Sequence, residues 1–171
     1  MIFSEEDKNE SLRVGQLIKK VELIDKEYVN KESDLIFKKQ PFLISLLLGY
    51  HDDLKELELE EIMRIIFLIW EFFKYHNQIN QTKISESQFS RIQQRNIYML
   101  KYYEGEEGQK ASMELISTDL KNLKSKSLFG GIFFQFFEKN PLIEMEDKTR
   151  GNILIGLKSL IECFEEIVFK A

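Results

Sequence analysis

Chemistry in this chain would be sought first at its two histidines, its one cysteine and a run of carboxylates. His51 and His76 lie just before and at the end of the stretch from Leu57 to His76, which patterns as one long helix. At 1.5 Å per residue the two imidazoles are roughly 30 Å apart along its axis, too far to share a metal. Helical di-iron bundles use a Glu three residues before each ligating His, and neither histidine has one. No metal site is expected. Cys163 stands between Glu162 and Phe164, with Lys158 and Glu166 a turn away and no histidine nearby in sequence. A lone helical cysteine of this kind reads as small core filler. Asp52, Asp53, Glu56, Glu60 and Glu61 are numerous enough for acid–base work, which would need one of them buried with a shifted pKa. They read instead as a solvated loop and helix start. Gly130-Gly131 follows no strand and lacks the motif of a phosphate-cradling loop. No catalytic residue and no cofactor is therefore assigned.

Two features point instead to binding. Phe67 falls at 100° per residue in the middle of the polar strip of its helix, between Arg64 and Glu71. Glu60–Arg64 and Glu71–Lys74 pairs can form around it. Either another helix crosses there and covers the ring, or the ring is an exposed interface anchor in a charged rim. Farther on, Arg91, Arg95, Tyr98 and Tyr102 recur at i, i+4, i+7 and i+11 on the outward face of a helix from Ser85 to Tyr103. Arginine and tyrosine on one stripe can grip an acidic protein surface, or bind phosphates and stack on bases. The plain alternative is a solvated face whose arginines pair with Glu86 or Glu104.

The elements that must position these residues are all helical. Between Leu57 and His76 only Glu60, Arg64, Glu71 and Lys74 form a polar strip, and bulk such as Ile62, Ile66, Ile69, Trp70 and Phe73 fills the other directions. A helix that is apolar nearly all round belongs at the centre of a bundle. Ser4 to Tyr28 reads as one helix, with Leu17, Val21, Ile24 and Tyr28 on a single face. Ser4 with Glu5, Glu6 and Asp7 caps its start. Gly15 marks a close approach by a neighbour, and Asn30 to Ser33 breaks the pattern. Pro41 opens a short buried helix from Phe42 to Leu48, stopped by Gly49. Asn77 to Lys83 reads as a loop, after which Ser85 and Gln88 have capping-box spacing. Gln109 to Leu123 reads as a surface helix with Met113, Ile116, Leu120 and Leu123 inward. Leu128 to Phe137 reads as short and buried, and Thr149 to Phe169 as the last helix.

The 171 residues fit one domain spanning 1–171, large enough to bury a core without disulfides. The fold class expected is all-α, a compact bundle of six or seven helices around Leu57 to His76. No apolar run reaches the ~20 residues of a membrane span, and Met1-Ile2-Phe3 runs directly into acidic residues without a basic leader segment, so a cytoplasmic protein is expected. A net charge of −5 disfavours indiscriminate nucleic-acid binding while leaving room for a basic patch. The function expected is a non-enzymatic helical interaction module that binds another protein or itself, as a homodimer. Nucleic-acid binding or regulation through the Arg91–Tyr102 stripe is the second reading. A small-molecule binder or enzyme with an aromatic pocket near Phe129 to Phe137 is the third.

Overall fold

The computed structural model describes residues 4–105 and 120–170, with backbone only at 102–105. Among them the secondary structure is helical and no strand occurs. The central element, α4, runs Glu56–Phe73. Its apolar residues point in nearly every direction, and Ile62, Ile69 and Phe73 are fully buried and Leu68 and Trp70 nearly so. Each such side chain contributes about 1.5–3 kcal/mol relative to an exposed one. The N-terminal α1 (Glu5–Glu22) lies along it, and α3 (Phe42–His51) also packs on it. On its other sides come α7 (Lys126–Glu138), α8 (Asn140–Ile143) and the long α9 (Asp147–Phe169). The expectation of a central helix holds.

The N-terminal third is cut differently from its periodicity. One helix was expected to run from Ser4 through Tyr28, but α1 ends at Glu22 and α2 spans Lys26–Lys39. Asp25 caps α2 by accepting from the Tyr28 N–H at 2.8 Å, an N-cap hidden inside a continuous apolar stripe. The expected break at Asn30 to Ser33 is helical, because Glu32 there turns inward. At the other end of α2, the fully buried Gln40 satisfies its amide and carbonyl together. Its amide donates to the Ile79 and Thr82 carbonyls at 2.9 and 2.7 Å and its side-chain oxygen accepts from Ile84 N–H at 2.9 Å. That one side chain fastens α2 to the segment after the short α5 (Asn77–Gln81). Gly49 does not stop α3, which continues to His51.

Ser4 forms the expected capping box, with Asp7 reciprocating. Ser85 accepts from Gln88 N–H at 3.1 Å and opens α6 (Glu86–Gly105), which ends two residues later than expected. The Gln88 amide does not reach back to close the box. It crosses to α9, donating to the Cys163 carbonyl and to Glu166. Of the surface helix expected from Gln109 to Leu123, only residues 120–123 lie among the described ones, with 120–122 helical and Leu123 buried.

Among the described residues glycine marks two close approaches, neither at Gly15, whose missing Cβ faces open space. At Gly131 of α7 a Cβ would sit 2.9 Å from Val14 Cγ1 of α1. At Gly156 of α9 it would overlap the Tyr50 hydroxyl of α3. That hydroxyl is buried and has no hydrogen-bond partner among the described residues, and burial raises its pKa. Gly156→Ala should therefore cost about 1–3 kcal/mol, the range for overpacking a core. Tyr50→Phe removes an unsatisfied polar group and should be neutral or slightly stabilising. In a chain that already carries Tyr50→Phe, most of the Gly156→Ala penalty should vanish. A denaturation double-mutant cycle measures this, and additive effects would mean that the hydroxyl is not the obstacle.

Candidate functional site

The reactive side chains are dispersed. His51 is exposed at the end of α3, its Nδ1 3.3 Å from Asp52. His76 sits between the rings of Phe73 and Phe169, where burial and then the Arg13 charge lower its pKa. Cys163 is fully buried, and burial, with Glu166 and Glu162 beside it, pushes its thiol up to about 12. A thiol held protonated is a poor nucleophile. Asp52, Asp53 and Glu56 face solvent, and Glu60 and Glu61 both pair with Arg64. Among the described residues no cluster of three His, Cys, Asp or Glu side chains could hold a metal ion.

Phe67, expected as a candidate anchor, is only 4% exposed. α2 covers it: the Tyr28 ring meets it edge-on at 5.5 Å. The exposed-anchor reading of Phe67 is thus corrected. The C-terminal half of the polar strip is covered as well, and Glu71 retains only 1% of its surface, while Glu60 and Arg64 stay partly exposed. Two helices supply what that carboxylate needs. Lys20 of α1 reaches it at 2.9 Å, Tyr28 of α2 donates at 2.6 Å, and Lys74 donates at 2.7 Å. Lys74 also lies 3.3 Å from Glu32, which in turn accepts from the Trp70 indole at 2.7 Å. Burial pushes the Glu71 pKa up, but the hydrogen bonds from Lys74, Tyr28 and Lys20 outweigh it, and the net shift is downward. Two carboxylates against two ammonium groups leave the cluster neutral, which suits a structural knot rather than a reaction centre.

The arginine stripe is tied to the neighbouring helix. Arg91 bonds Glu166 at 2.8 Å and Arg95 bonds Glu162 at 2.9 Å, both on α9, rather than Glu86 on their own helix; the side chain of Glu104 lies outside the described residues. Both guanidinium side chains remain about half exposed. Tyr98 is 63% exposed, while the side chain of Tyr102 lies outside the described residues. Beneath the arginines runs a buried seam. Asn96 donates to Ser159 at 2.9 Å and to Glu162 at 2.6 Å, and its carbonyl accepts from the buried Lys158 at 3.0 Å. The helical wheel of α6 turns Asn96 inward but does not show what it bonds. Its place among inward apolar residues was the one available signal.

The surface that departs most from expectation is α7. Its five phenylalanines do not share a core. Phe129 and Phe136 are buried, but Phe133, Phe134 and Phe137 are 46%, 57% and 63% exposed. With the exposed Gly130 they occupy i, i+3, i+4 and i+7 on the outward side. Phe129, Phe133 and Phe137 line up along the helix at centroid spacings of 6.4 and 5.0 Å, the second pair edge to face. The expectation of a buried segment is corrected here. α7 is held by its start: Glu165 of α9 accepts from Ser125 N–H at 2.5 Å and Glu10 of α1 from Ser127 N–H at 3.1 Å. Two carboxylates at a helix N-terminus also match its dipole. Beside α7 a shallow cleft lined by Ile18, Glu22, Arg64, Leu68 and Gln135 offers about 10 Å³, room for roughly one water.

Glu71→Ala should cost about 3–5 kcal/mol, because it strands the largely buried Lys74 ammonium and the Tyr28 phenol. The pH dependence follows from the lowered folded pKa. The stabilisation is complete above the ordinary glutamate value of 4.5 and is lost as pH falls through the folded value. Urea melts between about pH 6 and pH 3 should show the parent losing more stability than the variant; parallel curves would contradict this. At the α6–α9 seam, Arg91→Ala and Arg95→Ala should each cost no more than about 1 kcal/mol. Asn96→Ala should cost about 1–3 kcal/mol. Thermal melts rank the three, and a larger loss from either arginine would reverse the assignment of the hub.

Compared with known protein families, curated proteins and solved structures, the chain matches none, which leaves its own surface chemistry as the guide to what it does.

Proposed function

We propose that this chain is a non-enzymatic helical interaction module that binds protein through the outward face of α7. The observation that carries the reading is the stripe of Gly130, Phe133, Phe134 and Phe137. Exposed apolar residues scattered singly are ordinary, but a contiguous aromatic patch marks a contact surface. Interface cores are enriched in aromatic side chains, which supply large contact area with few rotatable bonds. The three exposed rings present about 300 Å². A helix face with anchors at i, i+3, i+4 and i+7 is also the geometry by which helices dock into one another.

The scaffold supports such a role. Gly131 lets α7 approach α1 closely, and Glu10 and Glu165 fix the start of the helix. The aromatic face is thereby presented on a rigid element. Among the described residues no helix is long and apolar enough to cross a membrane. A single buried thiol suits the reducing cytoplasm, the compartment this reading assigns. The arginine–tyrosine stripe fits nucleic acid less well, since Arg91 and Arg95 would have to leave Glu166 and Glu162 to meet phosphates.

Phe134→Glu and Phe137→Glu test the reading. Both positions are more than half exposed, so each variant should melt within about 0.5 kcal/mol of the parent. Affinity capture from native lysate, with the parent and both variants as bait, should show proteins retained by the parent alone. Identical retention by all three baits would exclude the α7 face as the binding surface.

A further inference from the structure

We propose that the α7 face pairs with the same face of a second copy of this chain, antiparallel and about a two-fold axis. The inference rests on the interaction-module reading and names its partner. At 100° per residue, α7 gathers Phe133, Lys126, Phe137, Gly130 and Phe134 into about 100° of arc, with Glu138 at its edge. The stripe is complementary to itself. With the axis between Phe133 and Phe134, Phe137 lies level with the second copy's Gly130. Among the described residues no atom lies within 4 Å of where a Gly130 Cβ would sit, so the notch there is open to receive a ring. Phe133 lies level with the second copy's Phe134.

Charge selects the direction. In the antiparallel pair Lys126 comes within about 5 Å, along the axis, of the second copy's Glu138. Both residues are exposed and sit at opposite ends of the helix. A parallel pair would set Lys126 against Lys126 and Glu138 against Glu138. It would also leave Gly130 facing Gly130 while two Phe137 rings collide. The helix dipoles favour the antiparallel arrangement as well. The two faces together would bury roughly 600–700 Å² of ring surface, below the ~1,200 Å² of a standard stable complex. The pair is therefore a weak dimer that forms as concentration rises.

Sedimentation velocity on the purified chain over a concentration series tests this. The average mass should climb from monomer toward dimer, and Phe137→Glu should abolish the climb. Lys126→Glu and Glu138→Lys should each weaken association about tenfold, since every dimer holds the contact twice. The double variant K126E/E138K should restore it. Lys126 also senses Asp7 of its own chain, so each variant is first checked for an unchanged melt. A parent that stays monomeric throughout overturns self-pairing. So does a double variant no better than the single ones, and so does flotation of the parent with anionic phospholipid vesicles that Phe137→Glu removes while no dimer forms. If the parent is monomeric yet its lysate partners still depend on Phe134, self-pairing fails while the interaction-module reading stands.

Discussion

A carboxylate with almost no surface, on the helix that everything else surrounds, sets terms for the N-terminal half of this protein. Glu71 could not sit against α1 and α2 unless those helices brought donors with them. Lys20, Tyr28 and Lys74 meet that demand, and Glu32 with the Trp70 indole extends the network. An unpaired buried charge costs several kcal/mol, whereas apolar contacts slide with little penalty. The network therefore acts as a register pin. Residues Lys20, Tyr28 and Glu32 come from two helices joined by only a few residues, and one turn's slippage of either would break it. Arg13 adds a second pin by donating to the Phe72 carbonyl at 2.7 Å while lying over the Phe72 ring.

The same logic repeats on the far side with different parts. There α6 meets α9 across Asn96, Lys158, Ser159 and Glu162, again a polar seam under an otherwise apolar contact. Arg95 and Arg91 extend it to the surface, where water screens them and each pair contributes little. The arginines of the expected binding stripe also form the outer edge of a helix–helix joint. Tyr98 is the exposed remainder.

What was legible in the sequence follows from how each element declares itself. α4 was readable because its apolar residues cover nearly every direction, which only burial satisfies. The break between α1 and α2 was not. Ile24 and Tyr28 continue the apolar stripe of Leu17 and Val21, and the one discordant residue, Asp25, is also common on helix surfaces. The partners of Arg91 and Arg95 were unreadable for another reason: Glu166 and Glu162 are 75 and 67 residues away, and periodicity carries no information across helices. Phe67 was placed correctly on its wheel, amid polar neighbours. What was missing was the Tyr28 ring, which another helix lays over it.

α7 shows a limit of hydrophobic pattern itself. Five phenylalanines and two glycines between Leu128 and Phe137 leave no polar face to mark the outside, so composition argues for burial in every direction. The helix can bury only one side, because α1, α4, α8 and α9 contact it and do not wrap it. Which side is decided by Gly131, whose lack of a Cβ allows Val14 and Ile18 to close on the backbone. Gly130, one residue earlier and about 100° round, then points away and carries Phe133, Phe134 and Phe137 outward with it. Two adjacent glycines thus differ in use: one lets α7 seat on its own chain, and the other leaves the notch that the proposed dimer would fill.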